Sequence, residues 1–535
     1  MKYAGILILL GLITACGEQE TQLMPNIVII YADDLGYGDV QSYNPDRGNI
    51  PTPNIDRLAE EGMSFSDAHA SSGVCSPSRY TLLTGRYHWR SRLQEGIVRL
   101  YERPLITPDR LTLGGLVNEH GYQTACIGKW HLGWNWPIPD DQIDFFKPNS
   151  KDVEASDVHR EVWKEVFSKP IPGGPVDVGF DEYFGTAVPN WPPFCFIEND
   201  RTVGIPSEFG ADYLFGKNQA NTQGPSLENW SLKDILPTLV SRASAFINRE
   251  ANTSRPYLLY LSLTSPHTPL SVNNQWLGKS NLSLYADFVM ETDAAVGRVI
   301  ETIDESGAGD NTLIIFTSDN GCAPYVGNTL DEENHDLRLG TYRKGLSKPP
   351  VAVMEEQGHY PSGPFRGYKS DVWEGGHRVP FIVRWPDKVQ SGSNCSQLVH
   401  QADLMATIAD ILNISLPDDA GEDSFSLLPL LQGSKDPVRD NAVSTSIYGL
   451  PGLRVGNWKY IPGPGSGGWS PDESDQSVQL YNLKADPAES ENLAEQERER
   501  LKQMKDLLEK LIAEGRTTQG PIQENDVEVI RYPKE

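Results

Sequence analysis

Asn26-Ile27-Val28-Ile29-Ile30-Tyr31-Ala32-Asp33-Asp34 is an apolar run that ends on two adjacent acids. A run of this kind, rich in β-branched residues and without alternation, is expected of a strand buried on both faces, as in a parallel sheet covered by helices. Four further runs share its character, at residues 122–127, 256–264, 312–318 and 380–385. Helical patterns lie between them, at 54–62, 111–120, 232–249, 283–306 and 401–412. Strands alternating with helices define an α/β layered domain. Residues 147–175 and 323–364 have no clear period and read as functional loops or lids. After residue 431 short strand-like pieces (442–447, 452–461, 478–482) surround a Gly/Pro/Ser-rich loop at 462–471, and a charged helix is expected over 489–515. That pattern predicts a small α+β domain.

The strand ends carry the chemistry. The first run delivers Asp33 and Asp34, and the 312–318 run delivers Asp319 and Asn320. The 122–127 run leads to Lys129 and His131, and the 256–264 run leads to His267. In open α/β sheets ligands sit outside the carboxyl ends of the strands. Adjacent buried acids are costly unless a cation neutralises them. These hard oxygen donors suit Ca²⁺ or Mg²⁺ and not zinc. An isolated Asp pair also reads as a helix or turn cap; the acid–amide pair at the equivalent place on another strand favours a metal.

Composition narrows the function. The 535 residues include 73 acidic and 46 basic ones, for a net charge of −27 and a pI near 4.8. Such a chain is not a general nucleic-acid binder, which needs many surface cations. A hydrophobic content of 38% supports a sizeable core. Six cysteines are too few for a disulfide scaffold, and Cys126, Cys195, Cys322 and Cys395 leave pairing open.

Cys75-Ser76-Pro77-Ser78-Arg79 precedes Thr84-Gly85-Arg86. Pro77 suits a first helical turn and Gly85 a helix end. Cys75 then stands at a helix N-terminus, where amides and the dipole favour an anion, although a lone Cys there also reads as a core thiol. These residues resemble the signature of the type I sulfatases, within the alkaline phosphatase-like superfamily. Six further stretches resemble the family in order: 25–38, Gly128-Lys129-Trp130-His131-Leu132-Gly133, Ser265-Pro266-His267, 317–321, Arg366-Gly367-Tyr368-Lys369 with Trp373-Glu374-Gly375-Gly376, and Leu480-Tyr481-Asn482-Leu483 with Asp486-Pro487-Ala488-Glu489.

The resemblance implies an α/β/α sandwich with a mixed, mostly parallel sheet, over residues 21–435, and an α+β subdomain with an antiparallel sheet over 436–535. It implies a sulfate monoester hydrolase in which Cys75 is oxidised to formylglycine by a maturation enzyme. Its hydrate attacks sulfur and later expels sulfate. Asp33, Asp34, Asp319, Asn320 and residue 75 would hold one Ca²⁺. Arg79 would orient the hydrate, Lys129 and Lys369 would bind sulfate oxygens, His131 would assist sulfate release, and His267 would serve the leaving oxygen. Candidate substrate contacts are His88, Trp89, Arg90, Arg92, Trp134, Trp136, Asn190, Trp191, His359, Arg366 and His377, an aromatic and basic set suited to an acidic sugar ring. The competing readings are a phosphate or phosphonate ester hydrolase of the same superfamily and a non-catalytic glycan-binding lipoprotein.

Lys2, the apolar run at 4–13 and Thr14-Ala15-Cys16-Gly17 read as a signal peptide with a lipobox over residues 1–20. The run is too short to span a bilayer. The expectation is export to the periplasm or outer membrane and cell surface, with a lipid at Cys16 as the only membrane attachment. A sulfated carbohydrate is then the expected substrate, bound in a small cationic pocket on an acidic surface.

Overall fold

A computed structural model of the protein describes residues 24–147, 154–211, 214, 222–327, 349–471 and 476–532. The signal segment and residues 328–348 of the expected 323–364 lid lie outside that set.

One sheet of ten strands organises the larger part of the chain. Its strands are β1 (Asn26–Asp33), β2 (Met63–Phe65), β3 (Gln123–Lys129), β4 (Glu182–Thr186), β5 (Ile197–Glu198), β6 (Arg201–Thr202), β7 (Tyr257–Pro266), β8 (Thr312–Ser318), β9 (Phe381–Arg384) and β10 (Ser393–Cys395), in the order β10-β2-β9-β8-β1-β7-β3-β4-β5-β6. The central strands β8, β1, β7, β3 and β4 run parallel. β9 runs antiparallel to β8, so the 380–385 run departs from its parallel reading. The chain reaches β9 directly from the Lys369–His377 segment at the site rim, and from there a strand can only run away from the site.

The expected two-sided burial of β1 is literal. Val28, Ile30 and Ala32 pack into one core with helices α1 (Pro53–Glu61), α5 (Ile235–Glu250) and α6 (Leu284–Glu305). Ile27, Ile29 and Tyr31 pack into the other with α2 (Cys75–Thr84), α3 (Leu113–Asn118) and α7 (Leu404–Ile411). Residues 147–175, read as irregular, contain helix α4 (Asp157–Phe167). Its N-terminus is capped by Ser156, and Val162, Trp163, Val166 and Phe167 form a buried stripe too short to stand out as a period.

A separate antiparallel sheet follows in sequential order, from Asn441–Thr445, Pro451–Val455, Trp458–Ile461 and Gln479–Asn482. Helix α8 (Arg498–Ala513) covers it, and begins nine residues later than the 489–515 pattern suggested. Tyr87 and Trp89, just beyond α2, share this second core with Leu453, Tyr460 and Leu508. The five described cysteines are all free and buried, so none of the four left open for pairing forms a disulfide.

Gly128 and Gly185 sit opposite each other on β3 and β4. A Cβ on Gly185 would lie 1.7 Å from the Gly128 carbonyl oxygen, and one on Gly128 would lie 1.7 Å from the Ser262 carbonyl oxygen. Three strands thus close to backbone contact beside Lys129. Gly185→Ala should destabilise the protein by about 3 kcal/mol through overpacking, read as a lowered melting temperature; an unchanged melt would refute the tight register.

Candidate active site

Parallel strands β1, β7, β3 and β8 end on the same edge, and α2 begins there. The result is a buried charge cluster. Lys129 Nζ lies 2.9 and 2.7 Å from the two Asp33 carboxylate oxygens. Arg79 donates to Asp319 Oδ2 at 2.7 Å and lies 3.2 Å from Asp33. Arg79 also donates to Ser262 Oγ, which in turn donates to the Lys129 carbonyl at 2.7 Å. Lys369 Nζ is 2.7 Å from Asp34 and 3.8 Å from Cys75 Sγ. Asn320 Nδ2 donates to Asp34 Oδ1 at 2.8 Å, and His267 Nε2 lies 3.6 Å from Asp34 Oδ2. The Asp34 N–H donates to Asp319 Oδ1 at 3.0 Å.

Three carboxylates and three cations therefore share one dry site, where desolvation makes each pair matter. Burial pushes the Asp33 carboxyl up, but Lys129, His267 and Arg79 together outweigh it and hold it well below the usual carboxylate range. Burial and the charge on Asp33 push Asp319 up to about 7. Burial, reinforced by Lys129 and Arg79, holds His131 neutral. Its Nε2 lies 3.2 Å from the Val98 carbonyl, which can only accept, so Nδ1 is the lone-pair nitrogen. That Nδ1 is buried without a hydrogen-bond partner.

The donor set fits a hard divalent cation. Ligand atoms of Asp33, Asp34, Cys75 and His267 lie within 4.8 Å of one another. Asn320 Oδ1 is buried without a hydrogen-bond partner. Asp319, whose proton affinity is raised by its neighbours, is a carboxylate that a cation would relieve. Cys75 Sγ occupies the position an oxygen would take after oxidation of this residue.

The α2 helix begins at Cys75 itself and ends at Gly85, whose φ of 64° is the left-handed cap that glycine supplies. The residues beyond it lead away from the cluster. His88 bridges Ser71 Oγ and Thr445 Oγ1, and burial lowers its pKa to about 3. Trp89 stacks on Tyr87 in the second core. Arg90 grips Asp423 with two bonds of 2.9 Å. His359 Nε2 meets Asp39 at 2.9 Å, and His377 is held by Val372 O and His69. Arg366 lies over the Trp373 ring and donates to Glu489 O. The polar or aromatic groups of these six proposed substrate contacts are engaged inside the fold.

The other candidates gather on one side. Trp134, Trp136 and Trp191 line, with His131, Tyr101 and Glu102, a small open cleft. Trp191 sits edge-on to His131, with centroids 5.8 Å apart. Asn190 precedes it, and its Oδ1 is buried without a hydrogen-bond partner. Arg92 pairs with Glu102 at the cleft margin. Two contributors were missed. Ser262 is a hydroxyl inside an aliphatic run, which was its only sequence signal. Trp469, from the 462–471 loop, donates its main-chain N–H to Ser370 Oγ at 2.8 Å, and its ring centroid lies 6.0 Å from that of Tyr325, a placement that only tertiary structure reveals.

Comparison with known proteins supplies the class. The family model described as Sulfatase matches residues 25–166 and 186–414. N-acetylgalactosamine-6-O-sulfatase of Bacteroides thetaiotaomicron is 30% identical over 94% of this chain and 96% of its own. Arylsulfatase H of Canis lupus familiaris is 31% identical over 76% of this chain and 72% of its own. A structure solved in work on the metabolism of multiple glycosaminoglycans by Bacteroides thetaiotaomicron superposes with a TM-score of 0.74, at 28% identity, over 91% of this chain and 99% of that one. The chain belongs to the sulfatase family. It is a sulfuric ester hydrolase on the alkaline phosphatase-like fold.

Arg79→Ala would leave Asp33 and Asp319 under-compensated in the interior and should cost about 3–5 kcal/mol. Arg79→Lys should recover only part, because an ammonium cannot serve Asp319, Asp33 and Ser262 in the fixed fork that guanidinium provides. Urea unfolding measures both; equal stability of all three proteins would refute the assignment of Arg79 as the central counter-charge.

Proposed function

We propose that this enzyme removes sulfate from a sulfated carbohydrate outside the cytoplasm, with residue 75 as nucleophile. The carrying observation is the continuous buried network from Cys75 through Lys369, Asp34, Asp319, Arg79 and Asp33 to Lys129. In the mature enzyme a maturation enzyme would have oxidised Cys75 to formylglycine. Asp33, Asp34, Asp319, Asn320 and residue 75 would hold one calcium ion, which when bound supplies positive charge that lowers the nucleophile's pKa.

The chain's own groups account for the remaining steps. One hydroxyl of the residue 75 hydrate, having already lost its proton to water, attacks sulfur as the bond from sulfur to the alcohol oxygen breaks, leaving a sulfate ester on the residue. His267 Nε2 delivers a proton to the departing oxygen. Lys129 and Lys369 gather charge from the nonbridging oxygens. His131 Nδ1, the lone-pair nitrogen, takes the proton of the second hydroxyl as the aldehyde reforms and sulfate leaves. Arg79 holds the carboxylates in place throughout.

The name of one relative, N-acetylgalactosamine-6-O-sulfatase, supports a sulfated sugar, and the Trp136–Trp191 cleft beside His131 suits stacking of a sugar ring. The lipobox at Cys16 supports a lipid tether. No described helix is long and apolar enough to cross a membrane.

Peptide mass analysis should find residue 75 as formylglycine when the protein is made with a maturation system. Cys75→Ala should release no sulfate. Defined sulfated oligosaccharides, assayed beside aryl phosphate and phosphonate controls, should be desulfated preferentially. Full turnover by Cys75→Ala, or preference for a phosphoester, would overturn this reading.

A further inference from the structure

Lys369 reaches the site from a loop, not from a strand end, and something must fix its height. The loop runs from Arg366 to Glu374, and both its feet rest on one residue of the C-terminal segment. Glu489 Oε2 accepts the Glu374 N–H at 2.7 Å. The Glu489 main-chain carbonyl accepts from Arg366 Nη1 at 3.0 Å. The feet are tied to each other as well, since the Gly375 N–H donates to the Arg366 carbonyl at 2.8 Å. At the crest, the Lys369 N–H donates to Cys322 O at 2.9 Å and the Ser370 N–H to Gly73 O at 2.6 Å.

Glu489 is itself held firmly. It is fully buried, and its Oε1 lies 2.9 Å from Lys459 Nζ, which also meets Glu374 Oε1 at 3.0 Å. Its φ of 52° is a left-handed conformation that a non-glycine residue keeps only where surrounding bonds over-determine it. A residue needed only to fill space there would be neither charged nor strained. Acceptor oxygens are needed there because the Glu374 N–H and the Lys459 ammonium are both buried donors, and the N–H is the one that bears on the loop. Two motifs left without chemistry, Trp373-Glu374-Gly375-Gly376 and Asp486-Pro487-Ala488-Glu489, thus meet in one clamp.

We propose that Glu489 is a positioning residue of the sulfatase reaction, which sets the Lys369 ammonium against Asp34 and residue 75 by clamping both feet of the loop. The proposal rests on the reading that Lys369 serves the reaction. A shift of this ammonium by about 1 Å is enough to cost roughly 100-fold in rate.

Steady-state rates on an activated aryl sulfate test it in four proteins: wild type, Glu489→Ala, Lys369→Ala and the double variant. Glu489→Ala should lower kcat/KM by about 10- to 100-fold, and should have no further effect in the Lys369→Ala background. Glu489→Gln, which keeps an acceptor for the Glu374 N–H, should restore most of the rate. If Glu489→Ala does not fold, Glu489→Asp carries the same test, since it keeps the charge but is one methylene too short to reach that N–H. Equal fold-losses in both backgrounds would make Glu489 merely structural and overturn the proposal, as would an unchanged rate in a folded Glu489→Ala protein. If Lys369→Ala alone leaves the rate unchanged, the reading of Lys369 fails first and the clamp falls with it.

Discussion

Everything at this site depends on holding three acidic side chains side by side in a place without water. Asp33, Asp34 and Asp319 are each at most 1% exposed. Their compensation comes from Arg79, Lys129 and Lys369, which arrive on a helix, a strand end and a loop. Removing any one leaves an uncompensated buried charge, so the helix start, the strand register and the loop height are mutually constrained. The aliphatic strands supply the stiffness, and the close approach at Gly128 and Gly185 supplies the precision. A divalent ion added to this balance leaves a net positive centre, which is what a substrate anion needs.

The fold was largely legible because its strands are buried on both sides. Burial on two faces leaves no alternation and forces continuous apolar runs, so β1, β3, β7 and β8 stand out in sequence. Their ends then point to Asp33, Lys129, His267 and Asp319 by topology alone. Helix α4 was not legible, since three turns with one buried stripe carry little periodic signal. The direction of β9 was not legible either, because composition does not encode polarity.

The substrate contacts were the least legible. His88, Arg90, His359 and His377 have the chemistry of ligands but spend it on Ser71, Asp423, Asp39 and Val372. A buried polar side chain must be satisfied, and a sequence does not say by whom. Residue type therefore does not separate a side chain that faces a cleft from one that is satisfied inside the fold. The segment read as a small α+β domain reaches the Lys369 loop through Trp469 and Glu489 and takes Tyr87 and Trp89 into its own core.

Cys75 is 2% exposed. Once the sheet and the Lys369 loop are in place, its sulfur is almost wholly covered, and an extended peptide segment around it can no longer be drawn out into another protein's site without undoing those contacts. Lys369, which lies against this sulfur, sits on a loop whose feet bond to Glu489, more than four hundred places further along the chain. Any processing of this thiol by another protein is therefore a race against folding, won while the chain is still emerging or still open. The yield of active enzyme would then be governed by the order of events in biogenesis, and a faster-folding variant could be the less active one.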